Sequence, residues 1–223
     1  MISLKEKNEK KNALVYLKDF WNWLWNSDSI WSYIVFLILI FILVKYIFLP
    51  GLGLIFHASL PLAIVESSSM EHYSLQTTTN SDFILCGAGF NSQKYFNKEE
   101  FWNTCGSWYT QNANITQEQF QDFSLGNGFR KGDIMVIWGW KKPQIGDVIV
   151  YNSGRQYPII HRIVSQNSDG SFQTKGDHNS GQIKDSATDE TNVKQDKIIG
   201  TAILRVPYAG WIKLFFVEMF QKI

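Results

Sequence analysis

The chain has 223 residues, with 21 Lys and Arg against 20 Asp and Glu and a formal net charge of +1. This length allows one sizeable domain with shorter additions and excludes multi-domain machinery. Near-zero net charge with 45% hydrophobic and 15% aromatic residues argues against a disordered chain and against a nucleic-acid binder, which carries a basic surplus. The two cysteines, Cys86 and Cys105, lack the paired spacing with histidine of a structural zinc site, so neither a metal nor another cofactor is expected.

The first predicted element is an apolar run from Trp31 to Leu49, which contains one serine and one charged residue, Lys45. A helix of this run, at 1.5 Å per residue, is about 28 Å long and matches the hydrocarbon thickness of a bilayer. A buried core helix is the alternative, but such a helix normally shows a polar face. We therefore predict a transmembrane helix at residues 30–49.

The residues beside this helix predict a retained anchor and its orientation. About 30 residues precede the apolar run, more than a cleaved signal peptide has before its core. Residues 50–70 contain no Lys or Arg, whereas five lysines precede the run: Lys5, Lys7, Lys10, Lys11 and Lys18. By the positive-inside rule, residues 1–29 are predicted to be cytoplasmic and everything after the helix extracytoplasmic. The tryptophans at 21, 23, 25 and 31 fit an aromatic belt at the inner interface.

Two further apolar segments are predicted near the ends of the remaining sequence. Residues 50–65 are too short for a second span and contain Gly51, Gly53 and Pro61, so they are predicted to be an interfacial linker that leads into a strand. Residues 206–223 carry an apolar stripe with helical spacing: Ile212, Phe215, Phe216, Met219, Phe220 and Ile223. This amphipathic C-terminal helix either lies on the membrane or packs on the protein's own core.

Between these segments, residues 66–205 are predicted to form a mainly β domain. Runs of β-branched and aromatic residues, bounded by turn residues, predict strands at 134–140, 147–151, 158–164, 171–175 and 198–206. Gly132-Asp133 and Gly146-Asp147 are interpreted as turns before strands. Residues 76–128 differ, since they are polar and contain helix-like segments at 97–105 and 116–123, the second with a capping-box pattern at Thr116. We interpret them as an α-containing insertion.

The insertion contains both cysteines and a modification signal. Outside the cell Cys86 and Cys105 could form a disulfide, with two free buried thiols as the alternative. Asn114 begins the only glycosylation sequon of the chain, and on the predicted topology it faces the side where glycosylation occurs.

The chemistry-bearing motifs follow in a fixed order: Ser67-Ser68-Ser69-Met70, Gly132-Asp133, Gly146-Asp147, His161-Arg162 and Lys175-Gly176-Asp177-His178-Asn179. This set resembles the type I signal peptidases, membrane-anchored serine proteases that remove signal peptides after translocation. The resemblance covers the anchor and about residues 60–210 without the insertion. His161, where bacterial members have lysine, is similar to the archaeal and endoplasmic-reticulum branch. The chain departs from the family pattern at Ser68 and His72, where many relatives have glycine and proline.

Peptide hydrolysis needs an activated nucleophile, a base and donors for the oxyanion. Ser69 is predicted to be the nucleophile and His161 the general base. A carboxylate must then hold the imidazole tautomer. Asp185 is favoured for this role over Asp177, which is expected to hold the turn after a strand by binding its backbone N–H groups. Asp189 or Glu190 could substitute for Asp185.

The loop around the nucleophile is predicted to bind the substrate. The backbone N–H of Ser69 is expected to donate to the oxyanion, and the resemblance implies the same role for the hydroxyl of Ser67. Ser68 and Met70 complete this predicted loop. Met70, with its apolar neighbours Ile64 and Val65, is a candidate wall of shallow pockets, and the resemblance implies small substrate residues at the first and third positions before the cut.

The resulting prediction is a mainly β catalytic domain of signal-peptidase type with an α-containing insertion and an N-terminal transmembrane helix. Its expected activity is cleavage of signal peptides from secretory preproteins in a cell or endoplasmic-reticulum membrane, with the protein translocation channel as a candidate partner. No nucleic-acid partner is expected. Two alternatives stay open: a non-catalytic anchored scaffold, and an autoproteolytic Ser–Lys peptidase in which Lys175 would act as base. The intact pair Ser69 and His161 argues against the first, and the anchor and the histidine argue against the second.

Overall fold

The computed structural model describes residues 2–76 and 82–211, with side chains from residue 13 onward. The chain divides into two compact units, Met1–Leu52 and Gly53–Ile223. The apolar stripe of the predicted C-terminal helix, which begins at residue 212, lies outside the described residues.

The N-terminal part is helical. Helix α1 comprises Ile2–Asn26 and helix α2 Ile30–Leu43, whose first turn is capped by the side chain of Ser29. A π-helical turn, Val44–Phe48, joins α2 to helix α3, Leu49–Phe56. Together, Ile30–Phe56 form 27 helical residues with a mean hydropathy of 2.6, long and apolar enough to cross a membrane by length and composition.

The apolar helix continues past the predicted end at Leu49, so the first part of the predicted linker is helical. Pro50 has no N–H to donate and its ring crowds the carbonyl four residues earlier. The helix accommodates this by widening into the π-turn just before the proline, where the Leu49 N–H bonds to the Val44 carbonyl five residues back. Gly51 and Gly53 then lie within α3. Strand β1, Leu62–Ile64, lies within the predicted linker and not after it, so the linker prediction is wrong at this end as well.

A six-stranded antiparallel sheet forms the centre of the second unit. Its order is β1-β5-β9-β6-β7-β8, with β5 at Ile134–Trp138, β6 at Val148–Tyr151, β7 at Ile159–Gln166, β8 at Phe172–Lys175 and β9 at Ile198–Val206. Strands β5 to β9 correspond to the five predicted strands, each shifted by at most two residues at either end. A short 3-10 helix, Gln195–Lys197, precedes β9. The mainly β prediction is therefore confirmed.

Residues 75–76 and 82–128 form a small sheet and two helices. Strands β2 (Leu75–Gln76), β3 (Phe83–Leu85) and β4 (Ala88–Phe90) form the sheet, and helices α4 (Lys98–Ala113) and α5 (Gln117–Asp122) follow. The capping box predicted at Thr116 is present, and a second one at Asn97 begins α4. Helix α4 extends well beyond the predicted segment to Ala113, and the residue that caps its end, Asn114, adopts a left-handed backbone. A disulfide joins Cys86 to Cys105.

Two of the hydrophobic clusters position the site. The first packs the loop after β1 against the sheet through Val65, Met70, Phe129, Met135, Val148 and Ala202, among others. The second packs α4 and α5 on strand β7 through Leu85, Phe101, Cys105, Tyr109, Phe120 and Val164, among others. The helical region is therefore part of the folded core of this unit, because its apolar side chains share a buried cluster with Val164 of the central sheet.

Candidate active site

The loop after β1 presents Ser69 from a fixed backbone. Val65 exchanges backbone hydrogen bonds with the segment before β5, since its N–H donates to the Asp133 carbonyl and its carbonyl accepts from Gly132. Met70 is buried in the first core cluster, and its carbonyl accepts from Phe129. Ser69 lies between these two anchored positions, so its hydroxyl is held by packing on both sides of the loop.

His161 of strand β7 contacts this hydroxyl. Its Nε2 lies 2.8 Å from the Ser69 Oγ, and its Nδ1 contacts the carboxylate of Glu190. Both His161 and Glu190 are buried. Serine, imidazole and carboxylate thus form one continuous chain, which is the arrangement that activates a hydroxyl nucleophile in serine hydrolases.

Glu190 is held in place by several donors. Its Oε2 accepts the Ile183 N–H at 2.6 Å, while Oε1 accepts from the Thr174 hydroxyl at 3.2 Å and the Tyr151 hydroxyl at 3.4 Å. Burial, and then the negative charge of Glu190, raises the pKa of Tyr151, which keeps that phenol a donor. Every partner of the carboxylate is thus a donor, as a buried anion requires.

The structure places Asp185 elsewhere, contrary to the favoured prediction for the histidine partner. Its side chain is 43% exposed and pairs with Arg155. Its carboxylate also accepts the N–H groups of Ala187 and Thr188, and the first of these bonds is the main cause of its lowered pKa. The physical reason is that residues 184–189 form a tight turn, closed by an isolated bridge between Lys184 and Asp189. Asp185 caps that turn at the surface, and the returning chain brings Glu190 inward.

Asp177 is buried and holds its turn, but its partners differ from the prediction. Its carboxylate accepts from the Arg162 guanidinium at 2.9 and 2.7 Å, from the Tyr109 hydroxyl at 3.0 Å and from His72 at 3.2 Å, and none of these donors is a backbone N–H. Burial alone would raise the pKa of Asp177, but the Arg162 charge and the hydrogen bonds from His72 and Arg162 together outweigh burial and lower that pKa. For His72, burial has the opposite effect and lowers the pKa, because burial disfavours the charged imidazolium.

Lys175, the base of the alternative Ser–Lys mechanism, points away from the serine. Its fully buried ammonium donates to the carbonyls of Gly176 and Asp177 and lies over the rings of Trp108 and Tyr109, 5.1 and 5.0 Å from their centroids. Burial lowers its pKa to about 8. These contacts support the turn, and His161 is the base in contact with Ser69.

Gly176 is a site residue that the sequence reading did not single out. A Cβ at this position would lie 2.8 Å from His161 Nε2 and 2.8 Å from the Ser69 carbonyl. The motif Lys-Gly-Asp was a signal for it, since glycine is used where another group approaches the backbone closely.

The predicted substrate-binding residues separate into two groups. Ser67 lies beside the nucleophile, with 3.1 Å between the two hydroxyl oxygens, and lines a cleft of about 880 Å³ together with Ile64 and Val65. Ser68 and Met70 do not line this cleft, which corrects their predicted role. Met70 cannot, because it is buried in the core and its Sδ accepts the Asp177 N–H.

The cleft is apolar and bordered by an edge strand. Strand β1 forms one wall, and residues 155–161, which lead into and begin strand β7, contribute to another part of its lining. Among the described strands, β1 pairs only with β5, so its other edge is available for pairing. Within the described parts of the chain, no cluster of three or more His, Cys, Asp or Glu side chains could hold a metal ion.

Comparison with known proteins adds independent information to this geometry. No family model matches the chain. The catalytic subunit SEC11 of the signal peptidase complex from Metarhizium robertsii is 31% identical over 103 residues, covering 43% of this chain and 60% of the relative. The corresponding subunit from Saccharomyces cerevisiae is 34% identical over 103 residues, covering 43% and 62%. The predicted resemblance to signal peptidases is confirmed. The chain spans about 60% of the length of these curated relatives.

Proposed function

We propose that this chain is a membrane-bound serine endopeptidase that cleaves N-terminal signal peptides from translocated preproteins. The observation that carries the proposal is the chain of contacts from Ser69 Oγ through His161 to Glu190 at the end of a cleft beside an edge strand. The similarity to catalytic subunits of the signal peptidase complex supports the same activity.

The mechanism follows from the positions of these groups. His161 Nε2 takes the Ser69 proton as Oγ attacks the scissile carbonyl, and Glu190 holds Nδ1 and balances the imidazolium charge. The Ser69 N–H and the Ser67 hydroxyl donate to the oxyanion. The imidazolium then returns the proton to the leaving amine, and a water molecule, deprotonated by His161, hydrolyses the acyl-enzyme.

The substrate binds in extended form along strand β1. Main-chain hydrogen bonds to the available edge would fix its register, and the cleft would receive alternate side chains. The apolar lining by Ile64, Val65 and Ile160 suits small aliphatic residues before the cut. A precursor carrying phenylalanine at the first position before the cut is therefore expected to resist cleavage, whereas an alanine there should permit it.

The apolar helix Ile30–Phe56 anchors the enzyme, with the N-terminus cytoplasmic and the catalytic unit outside. The membrane is that of the cell or of the endoplasmic reticulum, and its secretory substrates arrive through the translocation channel. Asn114 is exposed and begins the sequon, so it reports this orientation. Translation with microsomes should glycosylate the wild type but not Asn114→Gln, and an unmodified wild type would contradict the orientation.

The decisive experiment incubates the purified full chain, in detergent or vesicles, with a secretory precursor. Wild type is expected to release the signal peptide at one site. Ser69→Ala should abolish cleavage while keeping the thermal unfolding temperature, because only the attacking oxygen is lost. Ser68→Ala is the matched control and should retain most of the activity. An active Ser69→Ala protein would refute the assigned nucleophile, and an inactive wild type would contradict the proposed activity.

A further inference from the structure

The helical region 82–128 contacts the turn that lies behind the proposed nucleophile. This turn, Gly176–Asn179, is called the catalytic turn below. Its His178 N–H donates to the Ser69 carbonyl at 2.9 Å. Gly176 in the same turn lies so close to His161 and Ser69 that a single added carbon would meet both at 2.8 Å. A displacement of the catalytic turn would therefore move the serine backbone and the imidazole relative to each other.

Two hydrogen bonds from the helical region hold this turn. The Tyr109 hydroxyl of helix α4 donates to Asp177 Oδ1 at 3.0 Å, and the Cys86 N–H donates to the His178 carbonyl at 3.0 Å. The disulfide joins these two supports, because Cys86 is bonded to Cys105, one helical turn before Tyr109 in α4. The helical region thus holds the catalytic turn through Tyr109 and Cys86, and the disulfide links these two residues through Cys105.

A third contact reaches the opposite side of the same carboxylate. The ring of Phe101 in α4 stacks on His72, with 3.8 Å between ring centroids. His72 Nε2 in turn lies 3.2 Å from Asp177 Oδ2. Helix α4 therefore acts on both oxygens of Asp177, directly through Tyr109 and indirectly through His72.

The hydrogen-bond capacity of Asp177 makes the Tyr109 hydroxyl important. An ionised carboxylate offers about four acceptor positions, and Asp177 uses them for two guanidinium bonds, His72 and Tyr109. Asp177 and Tyr109 are both fully buried, so water has no access to replace a lost donor. Burial, and then the Asp177 charge, raises the pKa of Tyr109 well above its ordinary value, which keeps the phenol protonated.

We infer that Tyr109 is a positioning residue for the proposed cleavage: through Asp177 it holds the catalytic turn, and with it the relative placement of Ser69 and His161. This inference rests on the proposed function and assigns a role to the helical region. Tyr109 does not line the substrate cleft, so its effect reaches the reaction through the turn and not through contact with the substrate.

The test is Tyr109→Phe in the full-length protein, because phenylalanine keeps the ring packing and removes only the hydroxyl. With a secretory precursor, kcat is expected to fall about tenfold, the loss of one charge-assisted hydrogen bond, while KM stays within about twofold. Hydrogen exchange at the His178 amide, which reports the turn without any substrate, should accelerate.

The matched control is Ile115→Ala. Ile115 is buried in the same hydrophobic cluster, and its aliphatic side chain has no hydrogen-bonding group to hold the catalytic turn, so the variant should lose stability but keep kcat and His178 exchange below its unfolding temperature. The inference would be overturned if Tyr109→Phe kept the wild-type kcat and the wild-type exchange rate at His178. It would also be overturned if Ile115→Ala lost as much kcat as Tyr109→Phe. If the wild type cleaves no precursor, the proposed function is refuted instead. Hydrogen exchange at the His178 amide, which needs no substrate, then shows by itself whether Tyr109 holds the turn.

Discussion

Glu190→Gln tests the assignment of the carboxylate that orients His161. All hydrogen-bond partners of Glu190 are donors. The Ile183 N–H, 2.6 Å from Oε2, can only donate. A glutamine has one acceptor oxygen and one donor nitrogen, so its oxygen is expected to face Ile183 and its NH₂ to face His161. The imidazole must then accept at Nδ1 and carry its proton on Nε2, which points at Ser69.

This tautomer cannot take the serine proton, so the expected cost is large. Replacing the triad acid by its amide lowers turnover by on the order of 10⁴ in a serine protease, which is about 5 kcal/mol of transition-state stabilisation. The assay is single-turnover cleavage of a precursor by the full chain, accompanied by thermal unfolding. The unfolding measurement establishes that the variant is folded under the assay conditions, since glutamine preserves the side-chain volume but removes a buried negative charge.

Asp185→Asn is the matched control, since it makes the same chemical change five residues away. Asp185 is largely at the surface, and an asparagine oxygen can still accept the N–H groups of Ala187 and Thr188. Its pairing with Arg155 is exposed and contributes little. Turnover within about threefold of wild type is expected for this control. Glu190→Gln within tenfold of wild type, or an inactive Asp185→Asn, would refute the reasoning.

Two further substitutions probe the catalytic turn. Gly176→Ala should abolish cleavage without unfolding the protein, because the new Cβ would lie 2.8 Å from His161 Nε2; full activity in a cleavage assay would contradict this close approach. The second is Lys175→Met, compared with wild type by unfolding at several pH values. The folded chain releases the Lys175 proton near pH 8 and the unfolded chain near 10.4, so the unfolded state binds more protons between them. Wild type should therefore gain up to about 3 kcal/mol relative to the variant across that window, and a constant difference would contradict the burial of a charged lysine.

The strands and the apolar helix could be read from the sequence because each is encoded locally. Runs of β-branched and aromatic residues between turn residues located β5 to β9 within two residues, since these side chains favour strands. The end of the apolar helix was placed too early because glycines such as Gly51 and Gly53 weaken a helix, whereas here a π-turn precedes Pro50 and the helix continues through both glycines. Local rules therefore predicted which elements exist better than where they end.

The site was only partly predictable, for a reason visible in the loop after the catalytic turn. The motifs named Ser69 and His161, and the structure places them 2.8 Å apart. The acid was harder, because Asp185 and Glu190 follow the same turn and spacing alone does not tell which side chain points inward. The backbone of Glu190 bonds to Ile183 and Thr174, and this pairing, which depends on strand β8, turns its side chain toward the imidazole.

The buried charges around the imidazole explain why two acids are needed there. Asp177 and Glu190 carry negative charge, and Arg162 and Lys175 carry positive charge, so the four fully buried groups balance while His161 is neutral. In the proposed mechanism, His161 takes the serine proton and a new positive charge appears beside Glu190 as the oxyanion forms on the substrate, so the total charge stays unchanged. Without Asp177, the buried Arg162 would leave the centre positive before the reaction and oppose protonation of the imidazole. In the proposed mechanism, Asp177 contributes through charge balance, whereas Glu190 contributes through its contact with His161.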